Sequence, residues 1–109
     1  MINIEEFKKV EIVVGKILSV EKVPDTDKLL KLSVDLGEEK PRQIISGIAL
    51  HFPDLHVLEG RKCMFVANLE PRTIRGLESQ GMIFALSTPD NKFSLIYADE
   101  NIPVGTKAK

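Results

Sequence analysis

The chain has 109 residues, with 15 Lys and Arg against 16 Asp and Glu and a hydrophobic fraction of 43%. A chain of this length buries about two-thirds of its unfolded surface around one core, which predicts a single domain over 1–109 and leaves no room for a second, catalytic one. The composition excludes disorder, no apolar run approaches the roughly 20 residues of a membrane-spanning helix, and Met1-Ile2-Asn3-Ile4-Glu5-Glu6 lacks the pattern of a signal peptide. A lone cysteine, Cys63, excludes an internal disulfide framework and points to a reducing, cytoplasmic setting.

Residues 3–9 read as a short helix, capped by Asn3 with Glu6 at the capping-box position and Ile4 and Phe7 on one face. Residues 10–23 switch to a strand. Its alternation slips around Gly15-Lys16-Ile17, where the glycine predicts a bulge or a sharp bend. Pro24-Asp25-Thr26-Asp27 is a turn. Leu30, Leu32, Val34 and Leu36 alternate with Lys31, Ser33 and Asp35 as a half-buried strand, and residues 42–47 form a third. Residues 48–60, which hold Pro53, both histidines and Gly60, read as a short helical insertion with a loop. Residues 62–69 suit a strand buried on both faces. Residues 71–81 read as a polar, basic connection before a strand at 82–86. Pro89-Asp90-Asn91 turns the chain into a last strand at 93–97, and Pro103-Val104-Gly105 closes it. Short strands at turn-punctuated spacing, with one helical insertion after the third, predict a small all-β barrel. The pattern fits an OB-type barrel, with a β-sandwich as the alternative.

Charge is unevenly distributed. Residues 61–76 hold Arg61, Lys62, Arg72 and Arg75 against Glu70 alone, a local excess of three positive charges on a chain of net −1. Such an excess creates a positive face on a near-neutral protein. Phosphate loops, HExxH, paired CxxC and nucleophile elbows are all missing, so nothing in the sequence supports catalysis. His51 and His56 lie five apart, the wrong spacing for one helical face, and Cys63 sits in an apolar run as a core residue. No cofactor and no metal are expected.

The specific signal is a set of segments. Val66-Ala67-Asn68-Leu69-Glu70-Pro71-Arg72 is followed by Arg75-Gly76-Leu77-Glu78-Ser79-Gln80-Gly81-Met82. With Val14-Gly15-Lys16-Ile17, Pro24 through Leu30 and Arg42 through Ile48, the chain resembles the tRNA-binding domain family over about residues 3–107. That family includes the C-terminal domain of methionyl-tRNA synthetases, free-standing structure-specific tRNA-binding proteins and the CsaA export chaperones. The resemblance implies a five-stranded OB-fold barrel with a short N-terminal helix, a helical insertion after strand three and extra C-terminal strands. It also implies a non-catalytic grip on folded tRNA, and a homodimer built through extensions at 1–9 and about 88–109. A partnership with the catalytic part of methionyl-tRNA synthetase follows from it too. The alternative within the family is a CsaA-type chaperone binding unfolded polypeptide. Asp27-Lys28-Leu29-Leu30 and Ser79-Gln80-Gly81-Met82 favour the tRNA binders.

Residue chemistry assigns roles within that frame. Lys31 and Ser33 occupy the outward face of strand two, with Arg42 and Lys28 joining a phosphate-facing surface and Lys16 at the suspected bulge. Arg72 and Arg75 are further candidates for phosphate contact. Asn68 and Ser79 would reach base edges or 2′-hydroxyls, and Met82 would pack against a base or fill core. Only six aromatics occur, too few for a single-strand stacking platform, which points to a folded RNA.

Overall fold

Nine strands form in chain order: β1 (Ile12–Lys22), β2 (Leu30–Asp35), β3 (Arg42–Ser46), β4 (Lys62–Val66), β5 (Arg72–Ile74), β6 (Leu77–Ser79), β7 (Met82–Ile83), β8 (Ala85–Ser87) and β9 (Phe93–Leu95). A one-turn helix, α1 (Ile4–Phe7), precedes them, and two 3-10 turns, Ala49–His51 and Leu55–Leu58, lie between β3 and β4. The computed structural model describes residues 1–109. Five strands share one antiparallel sheet in the order β3-β2-β1-β4-β7, while β5–β6 and β8–β9 are separate hairpins. No helix is long and apolar enough to cross a membrane.

β1 organises the sheet because it is long enough to serve two partners. Its first half pairs with β4, from Ile12 opposite Val66 to Lys16 opposite Lys62, and its second half with β2, ending at Lys22 opposite Leu30. The inward alternation of Val13, Ile17 and Val20 meets Leu30, Leu32, Val34, Ile44 and Phe65 in one core. Leu58, on the second 3-10 turn, is fully buried in that core. Each such side chain contributes about 1.5–3 kcal/mol by leaving water. The C-terminal segment covers the start of β1: Val14 N donates to Thr106 O at 2.9 Å, Gly105 N to Val14 O at 2.7 Å and Ala108 N to Ile12 O at 2.8 Å.

The β1 irregularity lies between Ile17 and Ser19, not at Gly15. Gly15 has a different reason: a Cβ there would stand 2.6 Å from Leu36 Cδ2 and 2.7 Å from Phe65 Cδ1. Close packing inside the barrel excludes a side chain. Other expectations also shift. β1 omits Val10 and Glu11, and α1 keeps its Asn3 cap, with Asn3 Oδ1 accepting from Glu6 N at 2.9 Å. β4 stops at Val66, and the strand expected over 82–86 divides. β7 pairs with β4 and β8 with β9, with Phe84 N between them donating to Met64 O at 3.0 Å.

Residues 71–81, read as a connection, contain the β5–β6 hairpin instead. Its turn residues Arg75 and Gly76 both have positive φ, 53° and 80°. Two consecutive positive-φ residues are the signature of a type I′ turn, which matches strand twist. An arginine at the first position hides it, because Asn or Asp is the usual marker.

This hairpin closes the barrel against β3, largely through side chains. Ser79 Oγ accepts from Ile45 N at 3.0 Å and donates to Gly81 O at 3.1 Å, while Gln80 Oε1 accepts from Gln43 N at 2.9 Å. Gln80 N donates to Gln43 O at 2.8 Å, and Gln43 Nε2 to Glu78 O at 2.9 Å. Two side-chain oxygens thus stand where a neighbouring strand would offer carbonyls to β3. Gly81 follows because a Cβ would lie 3.1 Å from Val66 O and 3.2 Å from Ile44 Cδ1.

Candidate nucleic-acid interface

The outward row of side chains runs across β1, β2 and β3. Ser19 stands opposite Ser33, and Ser33 opposite Gln43; Glu21 stands opposite Lys31, and Lys31 opposite Ile45. Gln80 and Arg42 complete a cleft of about 320 Å³ over this row. Its floor is polar but carries little free charge, since Lys31 Nζ lies 3.5 Å from Glu21 Oε2.

A second cleft, of about 480 Å³, opens between the β1–β2 turn and the tip of the β5–β6 hairpin. It brings Lys28 and Arg75 together, although they are far apart in sequence, beside Asp25 and Asp27. Asp25 adopts φ 62°, a left-handed conformation that aspartate tolerates in turns. Arg72 and Met82 line a third, shallow recess beside Ile45 and Ile74. Lys28, Arg72, Arg75 and Met82 are all exposed. The structure therefore gathers Lys31, Ser33 and Arg42 in one cleft, Lys28 and Arg75 in another, and Arg72 and Met82 on the flank between β3 and the hairpin.

Several of the expected site residues spend their polar atoms within the fold. Arg42 Nε and Nη2 donate to the two Glu38 carboxylate oxygens at 2.8 and 2.7 Å, and Nη1 donates to Gln80 O at 3.0 Å and to Ala67 O. The hydrogen bond from Arg42 holds the Glu38 carboxyl below its ordinary range against the opposing effect of burial, and reciprocally raises Arg42. A guanidinium with these partners holds the hairpin and β4 to β3, and has little left for phosphate. Ser79 is buried, both its hydroxyl bonds spent on closure. Asn68 Oδ1 accepts from Glu11 N at 2.8 Å and its Nδ2 donates to Lys9 O at 2.6 Å, so it pins the N-terminal segment. Lys16 lies between Lys62 and Asp35 on the outward face, outside the clefts.

Sequence reasoning missed Ser19, Glu21, Gln43 and Gln80. The register of β1 against β2 would have revealed the first two, but the slip after Ile17 conceals it. Arg61, counted in the basic segment, holds its guanidinium 3.9 Å over the half-exposed Tyr97 ring. Lys62 is used internally, donating to Glu100 O and Ile102 O, each at 2.8 Å. The two histidines and Cys63 do not converge. His51 stacks on Phe93 with centroids 3.9 Å apart, His56 Nδ1 lies 3.1 Å from Glu59 Oε1, and Cys63 is fully buried, which pushes its thiol up to about 11.

A five-strand barrel with a polar cleft over β2 and β3, flanked by the β1–β2 turn and a basic hairpin, is an OB-type barrel. In that architecture strands two and three and two loops form the nucleic-acid face. Residues 12–107 match the family model described as "Putative tRNA binding domain". The methionine–tRNA ligase of Enterococcus faecalis is 43% identical over 104 residues, a match covering 95% of this chain and 16% of the ligase. The structure of a methionyl-tRNA-synthetase-related protein from Pyrococcus horikoshii superposes with a TM-score of 0.93 at 41% identity, covering 100% of this chain and 98% of that one. The chaperone CsaA of Bacillus anthracis shares the fold, with a TM-score of 0.85, 23% identity, and 100% and 99% of the two chains covered. The chain belongs to the tRNA-binding domain family, and spans about a sixth of the curated ligases it matches.

Proposed function

We propose that this chain is a non-catalytic module that grips folded tRNA by shape and charge, either as an appendage of a methionyl-tRNA synthetase or as its free-standing auxiliary. The observation that carries the reading is the gathering of Lys28 and Arg75 in one cleft and of Arg72 in the recess that shares Ile74 with it, none of the three in an ion pair. These three neutralise phosphates. Lys31 contributes from the floor once its contact with Glu21 opens. Ser33 and Met82 supply short-range contacts, Arg42, Ser79 and Asn68 hold the face in shape, and Lys16 extends the charged surface along β1. Membership of the tRNA-binding domain family and the synthetase-related fold neighbour support the same partner.

The module works in the cytoplasm as a homodimer. Ile4, Phe7 and Val10 are 60%, 37% and 42% exposed, and they line a groove of about 490 Å³ with Lys8, Lys107 and Lys109. A second copy covers this apolar surface and doubles the basic face offered to one RNA.

The test is binding of folded tRNA against unstructured RNA of matched length over a range of salt. Tighter, steeply salt-dependent binding to tRNA is expected. Arg72→Ala/Arg75→Ala should reduce the salt slope by about one per lost phosphate contact. Equal or absent binding to both RNAs, with suppression of aggregation of an unfolded protein, would replace this reading with that of a CsaA-type chaperone.

A further inference from the structure

Among the polar side chains of the cleft over β1, β2 and β3, two stand apart. Lys31 is paired with Glu21, Arg42 is bound to Glu38 and two carbonyls, and Gln43 and Gln80 hold the closing seam. The hydroxyls of Ser19 and Ser33 make no hydrogen bond within the chain, yet they are register partners and both line the cleft. Serine is a poor strand former beside the β-branched residues that an exposed strand position favours. At this pair it keeps the floor open and presents two free groups that both donate and accept.

The surroundings restrict what those hydroxyls meet. Lys28 and Arg75 lie at the turn and the hairpin tip and Arg72 on the hairpin, so the phosphates they hold lie beside the cleft and not on its floor. No aromatic ring lines the cleft, so it offers no surface for stacking a base. Between the phosphates of an A-form helix, a wide and shallow minor groove displays ribose 2′-hydroxyls, uncharged groups that likewise donate and accept. We infer that Ser19 and Ser33 read ribose 2′-hydroxyls in a helical stem of the bound RNA, and so set the selectivity of this face for ribose. The inference rests on the proposed tRNA grip and specifies what lies on its floor.

The experiment compares two versions of one tRNA, unmodified and carrying 2′-fluoro ribose in its helical stems only. Fluorine keeps the A-form pucker while removing the hydroxyl. Wild-type protein should bind the unmodified tRNA about tenfold more tightly, the worth of two neutral hydrogen bonds. Ser19→Ala/Ser33→Ala should bind both versions equally, at the weaker affinity and with an unchanged salt slope. Ser19→Thr/Ser33→Thr, which keeps the hydroxyls, should retain the preference, and thermal unfolding of each variant checks that the barrel is intact. Equal binding of both tRNAs by wild type, or a preference that survives the double alanine change, overturns the inference while leaving the grip itself standing. Absence of salt-dependent binding to the unmodified tRNA overturns the functional reading and the inference with it.

Discussion

Replacing Arg42 with methionine keeps much of the aliphatic stem and deletes the charged fork. Four hydrogen bonds are lost, two to Glu38 and two to the carbonyls of Ala67 and Gln80. The Glu38 side chain is 47% exposed and that of Arg42 25%, so water screens the ion pair and it contributes only about 0.5–1 kcal/mol. Bonds from a charged donor to part-buried carbonyls are each worth about 1.5 kcal/mol. The expected loss is therefore about 3.5–4 kcal/mol, or roughly a 14–24 °C fall in Tm for a chain of this size. Arg42→Lys should recover part of it, since an ammonium has no planar fork to span both partners. Circular dichroism with heat and with urea measures the loss. The acid limb adds a sign: the Glu38 carboxyl titrates lower folded than unfolded, so its contribution is complete above about 4.5 and disappears as pH falls through the lowered value. The gap between wild type and variant should narrow there. A loss below about 1 kcal/mol at pH 7 would refute the reasoning, because it would mean that water satisfies both carbonyls as well as arginine does.

Gly15→Ala should destabilise by about 1–3 kcal/mol through overpacking against Leu36 and Phe65, read as a shift in urea midpoint. Phe7→Asp should convert the proposed dimer, expected at about twice 12.2 kDa by light scattering, into a monomer, and a wild-type monomer at micromolar concentration would remove the dimer proposal. Cys63 should resist alkylation at pH 8 while folded and react fully in denaturant. Burial raises its thiol from 9.0 to about 11, so its contribution to stability is complete below about 9 and is lost as pH climbs through 11. Cys63→Val should flatten that alkaline decline in urea midpoint.

Features with local causes were legible in the sequence. The period-two run from Leu30 to Leu36 marks a half-buried strand whatever its partners, and the 3-10 turns fall where Pro53 and Gly60 interrupt the pattern. Features made by distant partners were not. The roles of Ser79 and Gln80 depend on Ile45 and Gln43, some 35 residues earlier, and nothing near them announces that they replace strand carbonyls. Arg42 looked like any cation on an exposed strand until its partners at Ala67 and Gln80 were seen. Counting basic residues locates a basic segment, but which of its charges face outward is a tertiary property. Arg61, Arg72 and Arg75 are exposed, Arg61 with its guanidinium over an aromatic ring, while Lys62 caps carbonyls.

Lys107 bridges to Val13, so entry and exit of the chain meet at one edge of the barrel. The cleft lies over Ser19 and Glu21, at the other end of the same strand, on the order of 20–25 Å away at the rise of an extended chain. A polypeptide grafted onto either end would leave from the side remote from the proposed RNA face. The barrel is therefore a portable cassette, one that a fusion can carry without masking what it binds.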